Sequence, residues 1–358
     1  MSTFVLAVLI AVPASMNRVI QEASEGLRLV VNNRTAPQVQ MPARYCQEID
    51  RMTGVAACVA VSGWFSTWRD VSQPIFCAAA GPEVSDVFPD YGISPEDQKT
   101  FMTERRAAVA GALLMKRNGW KVGSPVTLRG TDARHFQMEF LIVGEIANER
   151  YPNTLLIRRD YLMETRKANG MGDEDTAWQL FVRADGANLL GPLQKQIDSH
   201  FMNSSYQTRT MTESDALASR LSVMGDLRSI VAALCATILL FVLLTAGNSN
   251  AIAVRERLSE MAIMRALGFG PVPLAMMLFG ECAAIGAIGG ALGAGLAFYL
   301  FVGGLNLPVL GVAGALWVTQ LQVFVAFITA VGVSILSGIA PIAEALLISP
   351  SVAFRKLV

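Results

Sequence analysis

The chain of 358 residues is 53% hydrophobic and only 16% charged, and its 29 basic and 29 acidic side chains cancel. Soluble domains carry about 25% charged residues, so a wholly soluble chain is excluded; the lack of basic excess argues equally against a nucleic-acid-binding role. Charge is also unevenly placed. Residues 1–17 have none and 227–358 have ten charged side chains, while the block 18–226 has the density of an ordinary soluble domain.

Residues 1–17 are read as transmembrane helix 1. The apolar run falls short of the roughly 20 residues that a spanning helix needs, so its cytoplasmic start is expected upstream of Met1. A cleaved signal peptide is the competing reading, but there is no basic start, and Pro13-Ala14-Ser15 is a weak cleavage site. Val19, Ala23, Leu27 and Val30 follow at helical spacing and predict a stalk. In the block 18–226, residues 27–31, 55–61, 71–81, 125–130, 136–146, 153–162 and 177–185 read as strands bounded by glycine or proline. Residues 103–118, stopped by Gly119, and 189–201 read as helices. That order predicts a large α+β domain of two subdomains. Cys46, Cys58 and Cys77 lie in it, an odd number that leaves open which pair, if any, is oxidised.

From Thr212 to Ile230 the spacing of Leu217, Leu221, Met224 and Leu227 predicts a second stalk running into transmembrane helix 2, residues 227–247. Residues 248–270 carry most of the charge of the last third. As a helix they place Ile252, Ser259, Ile263 and Leu267 on one face and Arg255, Glu256, Arg257 and Glu260 on the other; a plain polar loop would have the same composition. Residues 271–304 form helix 3, with Gly286/Gly290 and Gly289/Gly293 as two small-xxx-small frames for close helix packing. A short loop, 305–320, places Trp317 at interface depth. Helix 4 spans 321–345, broken or bent by Pro341, and 346–358 is the tail. Arg255, Arg257, Arg265, Arg355 and Lys356 put 248–270 and the tail in the cytoplasm by the positive-inside rule, and the large domain on the opposite side.

Enzyme chemistry is sparse. His135 and His200 stand alone, Asp173-Glu174-Asp175 reads as a solvated turn rather than a calcium loop, and there is no P-loop. No catalytic, cofactor-binding or metal-binding residue is assigned. Glu281 is a carboxylate within an apolar run. Such a group suggests proton transfer or substrate contact, against which stand a structural partner or a protonated state near the cytoplasmic interface.

The segment Glu256-Arg257-Leu258-Ser259-Glu260-Met261-Ala262-Ile263-Met264-Arg265-Ala266-Leu267-Gly268 resembles the signature after the second span of FtsX/MacB-type (MacB/LolC-like) ABC transporter permeases. Asn248, Glu281 with the Gly286–Gly293 cluster, and Pro341 with Ser349-Pro350-Ser351-Val352-Ala353-Phe354-Arg355 are similar to further parts of that pattern. Residues 108–146 loosely resemble the family's extracytoplasmic domain. Where relatives often carry several arginines, this chain has Ile342 to Leu347.

The resemblance implies four transmembrane helices with the α+β extracytoplasmic domain inserted between helices 1 and 2 on helical stalks. It implies a multi-pass protein of the bacterial cytoplasmic (inner) membrane that transmits ATPase-driven motion outward to move a lipoprotein, peptide, lipid or drug. ATP and Mg would sit on a partner ABC ATPase, and none on this chain. Arg255, Glu256, Arg257, Glu260, Arg265 and Gly268 become the ATPase-coupling candidates. A second permease subunit (homo- or heterodimer), a periplasmic adaptor or lipoprotein, and membrane lipids are the other implied partners. An FtsX-like regulator of an extracytoplasmic partner, such as a cell-wall hydrolase, is the alternative.

Overall fold

The computed structural model describes residues 2–36, 39–131, 136–148, 150–171, 175–223, 227–301, 305–306, 315–316 and 318–347. The chain divides into two compact units, one of Met1–Met16, Met224–Asn306 and Leu316–Val358, the other of Asn17–Val223 and Leu307–Ala315. Helix α1 (Ser2–Glu25) begins in the first and ends in the second. The chain then turns at Gly26 and Leu27, whose φ of 50° is left-handed, and enters the buried strand β1 (Arg28–Asn33). The helical spacing of Val19, Ala23, Leu27 and Val30 thus stops at Glu25, because a left-handed residue cannot continue a right-handed helix. Val30 pairs across strands with Phe181 and Met211 instead.

A short β2 (Met41–Pro42) and α2 (Tyr45–Asp50) precede a long hairpin, β3 (Val55–Trp68) and β4 (Asp70–Ala80). Next come α3 (Val84–Val87) and α4 (Pro95–Thr103). Ser94 caps α4 by accepting the Asp97 N–H at 3.1 Å, with Pro95 in the first turn, the usual residues at a helix start. There follow β5 (Ala107–Gly111), α5 (Ala112–Asn118), β6 (Pro125–Gly130), β7 (Gln137–Ile146), β8 (Leu155–Arg158) and α6 (Arg159–Ala168). The α+β unit closes with β9 (Thr176–Ala177), β10 (Gln179–Ala184), α7 (Leu190–His200), β11 (Thr208–Thr212) and α8 (Glu213–Val223).

Two predicted boundaries are corrected. The helix expected over 103–118 is a strand followed by a short helix. Ala107–Gly111 lies between β7 and β8, buried at every position, and a strand covered on both faces shows no alternation to betray it. Gly111 is required there, since a Cβ would fall 2.3 Å from the Tyr151 carbonyl oxygen. The strand expected over 153–162 ends at Arg158. Asp160 lies in the first turn of α6, its carboxylate accepting the Tyr161 N–H at 2.9 Å and favoured by the helix N-terminus.

The sheet order is β11-β1-β10-β3-β4-β8-β5-β7-β6, and β6 pairs back onto β3 at Ser66–Gly130 and Thr67–Arg129. Six strands therefore close into a ring, and β10, β1 and β11 extend from it as a wing. The two subdomains expected from the sequence share this one sheet, because β3 is long enough to belong to both. Trp64, Cys77, Leu128, Phe140, Leu155 and Ile157 fill one core with α5 and α6. Val59, Ala80, Val109 and Leu156 pack under α3 and α4. The wing is covered by α2 and α7 through Ile49, Leu193 and Ile197.

Cys46 and Cys58 form a disulfide with Cα atoms 5.6 Å apart, tying α2 to β3. Cys77 is free and fully buried. Burial pushes its thiol up to about 12, against the opposing effect of a hydrogen bond with Ser66.

The other unit holds α9 (Leu227–Glu256), α10 (Leu258–Ala266), α11 (Pro271–Phe301) and α12 (Gln320–Leu347). Three helices are long and apolar enough to cross a membrane: Ser229–Glu256, Pro271–Phe301 and Gln320–Leu347. In α1 the apolar stretch is shorter, Thr3–Val12, and it packs within this unit. Ala7 is buried with Ala294 and Ala297 of α11 and Ala326 of α12. Pro341 lies inside α12, which continues to Leu347 rather than breaking. The junction 224–226, Trp317 and the tail from 348 lie outside the described residues.

Replacing Cys46 and Cys58 together by serine should lower the unfolding free energy of the α+β unit by about 2–4 kcal/mol, read from denaturant unfolding of the full chain. In the native protein Cys77 should resist alkylation at pH 8 while reacting fully in denaturant. Native labelling of Cys77 would contradict its burial.

Candidate functional site

The segment 248–270 is two helices and not one. Helix α9 runs past Gly247 to Glu256, the backbone breaks at Arg257, and α10 takes over from Leu258. The break rotates the second half relative to the face assigned to a continuous helix. Ile252, Ile263 and Leu267, expected to share an apolar face, are 52%, 51% and 74% exposed. Val254, Met261 and Ala262 are buried instead. Val254 and Met261 pack with Leu278 and Cys282 of α11 and with Ile342 and Ala345 of α12.

Arg257, the residue at the break, donates from one guanidinium nitrogen to both carboxylate oxygens of Glu281, at 2.6 and 2.5 Å. The acid that the sequence places in an apolar run therefore has a structural partner, 24 residues away on the joint between two other helices. Both side chains are nearly half exposed, which fits a pair at the rim of the unit. A charge-assisted bond of this kind fixes position as well as balancing charge.

Around it lies a set of polar ties that sequence reasoning missed. Asn250 of α9 donates to the Ser337 hydroxyl of α12 at 2.9 Å. Ser334 donates to the Cys282 carbonyl at 2.6 Å, joining α12 to α11. Arg265 of α10 donates to the Leu346 carbonyl at 3.3 Å. Small hydroxyl and amide side chains on apolar helices are the usual signal for such bonds, and Asn250, Ser334 and Ser337 were visible as exceptions in their runs.

The six coupling candidates thus divide by what they touch. Arg257 and Arg265 bond back to α11 and α12. Arg255, Glu256 and Glu260 are exposed on the outer surface of the joint. Gly268, at φ 96°, ends α10: its N–H bonds to the Arg265 carbonyl and that of Phe269 to Met264, a left-handed stop suited to glycine.

The glycines of α11 divide as well. A Cβ on Gly286 would stand 2.7 Å from the Ser334 Cβ and 3.0 Å from the Val331 Cα. One on Gly290 would meet Ala330 and Phe327, each at 3.2 Å. These two let α11 and α12 approach backbone to backbone. Gly293 faces α1, with Thr3 at 2.8 Å, whereas Gly289 meets nothing within 4 Å among the described residues. Of the two frames, Gly286/Gly290 is the one at the α11–α12 contact among the described residues.

In the α+β unit, His200 pairs with Glu48 at the surface, Nε2 to Oε2 3.2 Å, and Asp175 pairs with Arg159. His135, Asp173 and Glu174 lie outside the described residues.

Three long apolar helices make this a multi-pass membrane protein. Residues 230–350, which hold the joint, its brace and the glycine frame, match the model of the FtsX-like permease C-terminal domain. Two solved structures are similar to the α+β region. The extracellular domain of the ABC-type transporter YknZ from Gram-positive bacteria is 10% identical; the match covers 51% of this chain and 99% of that one, with a TM-score of 0.38. The periplasmic region of MacB from Actinobacillus actinomycetemcomitans is 12% identical, with 57% and 97% covered and a TM-score of 0.38. No curated protein matches the chain.

Leucine at Gly286 should force α11 and α12 apart, at a cost of about 1–3 kcal/mol or more, seen as a lower melting temperature of the detergent-solubilised subunit. Leucine at Gly289 should leave that temperature unchanged. Equal effects would contradict the assignment of the frame.

Proposed function

We propose that this chain is the permease subunit of an ABC transporter, a mechanical transmitter driven by an ATPase on a separate chain. The observation that carries the reading is the family match over 230–350, centred on a short helix, α10, whose charged outer surface is exposed while its inner surface is packed and braced. In this reading α1 is the first of four spans, the α+β unit is extracytoplasmic and inserted between the first and second, and the membrane is the bacterial inner membrane. The basic residues around 255–265 support that orientation.

Partner movement would press on Arg255, Glu256 and Glu260. α10 is short, and its buried residues lie between α11 and α12, so displacement is shared among helices rather than absorbed by a loop. α9 continues from the joint without interruption over Leu227–Glu256, and a stiff helix conveys axial displacement. In this reading ATP and Mg belong to the ATPase. The second permease subunit and a cargo among lipoproteins, peptides, lipids and drugs, with an adaptor or lipoprotein partner, complete the assembly.

Reversing Glu256 and Glu260 together to lysine tests the docking surface. Loss of close charge pairs at an interface costs about 2–5 kcal/mol, so affinity for the ATPase and stimulated ATP hydrolysis should each fall at least about tenfold. Wild-type affinity and stimulation in that variant would refute docking at this surface.

A further inference from the structure

The α+β unit contains a buried charged cluster that the coupling reading does not use. Arg28, the first residue of β1, has a side chain only 1% exposed. Its Nε donates to Glu213 Oε2 at 2.6 Å. Its Nη1 and Nη2 donate to the two oxygens of Asp90, at 2.5 and 3.0 Å. Arg150 donates to the other Glu213 oxygen at 2.6 Å, and Tyr151 donates its hydroxyl proton to Asp90 at 3.3 Å. The Arg28 guanidinium also lies 4.6 Å from the centre of the Phe88 ring. Two guanidiniums and two carboxylates balance, which is the condition for burying any of them.

The placement of these residues in the chain is the informative point. Arg28 opens β1, separated from the end of α1 by two residues, where the chain enters the sheet. Glu213 is the first residue of α8, where the chain leaves the sheet after β11. Asp90 comes from a 3-10 turn, Pro89–Tyr91, after α3, and Arg150 from the loop before β8. Gly26 adapts the entry to this cluster, since a Cβ there would lie 2.6 Å from the Arg28 Cζ. The entry to the sheet and the exit from it, 185 residues apart, meet in one hydrogen bond.

We infer that Arg28, Asp90, Arg150 and Glu213 are positioning residues that lock both connections of the α+β unit to its sheet, so that the two move as one base. Apolar contact alone would stabilise the same place but is non-directional and allows sliding. Bidentate charge-assisted bonds fix angle and distance. A transmitter needs that, because a hinge at either connection would absorb the displacement. The purpose of the clamp rests on the transmitter reading; its geometry does not.

The test is hydrogen–deuterium exchange on the full chain in nanodiscs with its ATPase, comparing wild type with Glu213→Gln. That near-isosteric change removes one charge from the balanced four. Amides of 25–29 and 210–216 should exchange faster together, on the order of tenfold, while β4 and β8 keep their protection. ATP-dependent changes in exchange within 27–212, present in wild type, should be lost, with the disulfide and ATPase binding intact. Loosening at one connection only, no loosening, or loss of protection throughout the sheet would each overturn the clamp. If Glu213→Gln does not fold, Asp90→Asn, at the more exposed rim, is read by the same criteria. Wild type without any ATP-dependent change would refute the transmitter reading alone, since loosening at both ends would still stand.

Discussion

The bond between Arg257 and Glu281 is the constraint on which the membrane unit's arrangement turns. It occurs at the one residue where the backbone passes from α9 to α10, and it ties that point to α11. Without it α10 would keep the packing of Met261 and the Arg265–Leu346 hydrogen bond, but the break itself would lose its charged tie to α11. With it, α9, α10 and α11 share a fixed vertex. The Asn250–Ser337 and Ser334–Cys282 hydrogen bonds extend the same fastening to α12. Close approach of α11 and α12 at Gly286 and Gly290 accommodates the Ser334–Cys282 bond.

The α+β unit solves the corresponding problem by closure. The return of β6 to β3 gives six strands a ring with no free edge between them, which resists shear better than an open sheet of the same size. Helices cover the ring and the wing, and the Cys46–Cys58 bond fixes α2 to the long strand common to both parts. The weak points of such a body are the places where the chain enters and leaves, and there the buried charges of Arg28 and Glu213 meet.

Much of this was legible in the sequence because it depends on local pattern. The uneven placement of charge separates membrane segments from the block. Glycine, proline and alternation mark β4, β6, β7 and β10, and the motif ending at Gly268 points to the joint. What could not be read depends on partners distant in the chain. Ala107–Gly111 is a strand because neighbours cover both its faces, not because of any propensity of alanine. The break at Arg257 could not be read from spacing, and with it the burial of Met261 and Ala262 in α10. Glu281 was visible as an exception, but its partner lies on the joint between two other helices. The Arg28 cluster left no local trace, since each member is an ordinary charged residue in its own segment.

If the joint transmits force as proposed, it does so only while braced, and exchanging the charges tests that most directly. Arg257→Glu and Glu281→Arg, separately, should each abolish the ATP-dependent change in hydrogen exchange across the α+β unit of the assembled complex. The double variant, which restores the pair with its charges reversed, should recover most of it. Full coupling in either single variant, or no recovery in a folded double variant that still binds the ATPase, would contradict the account.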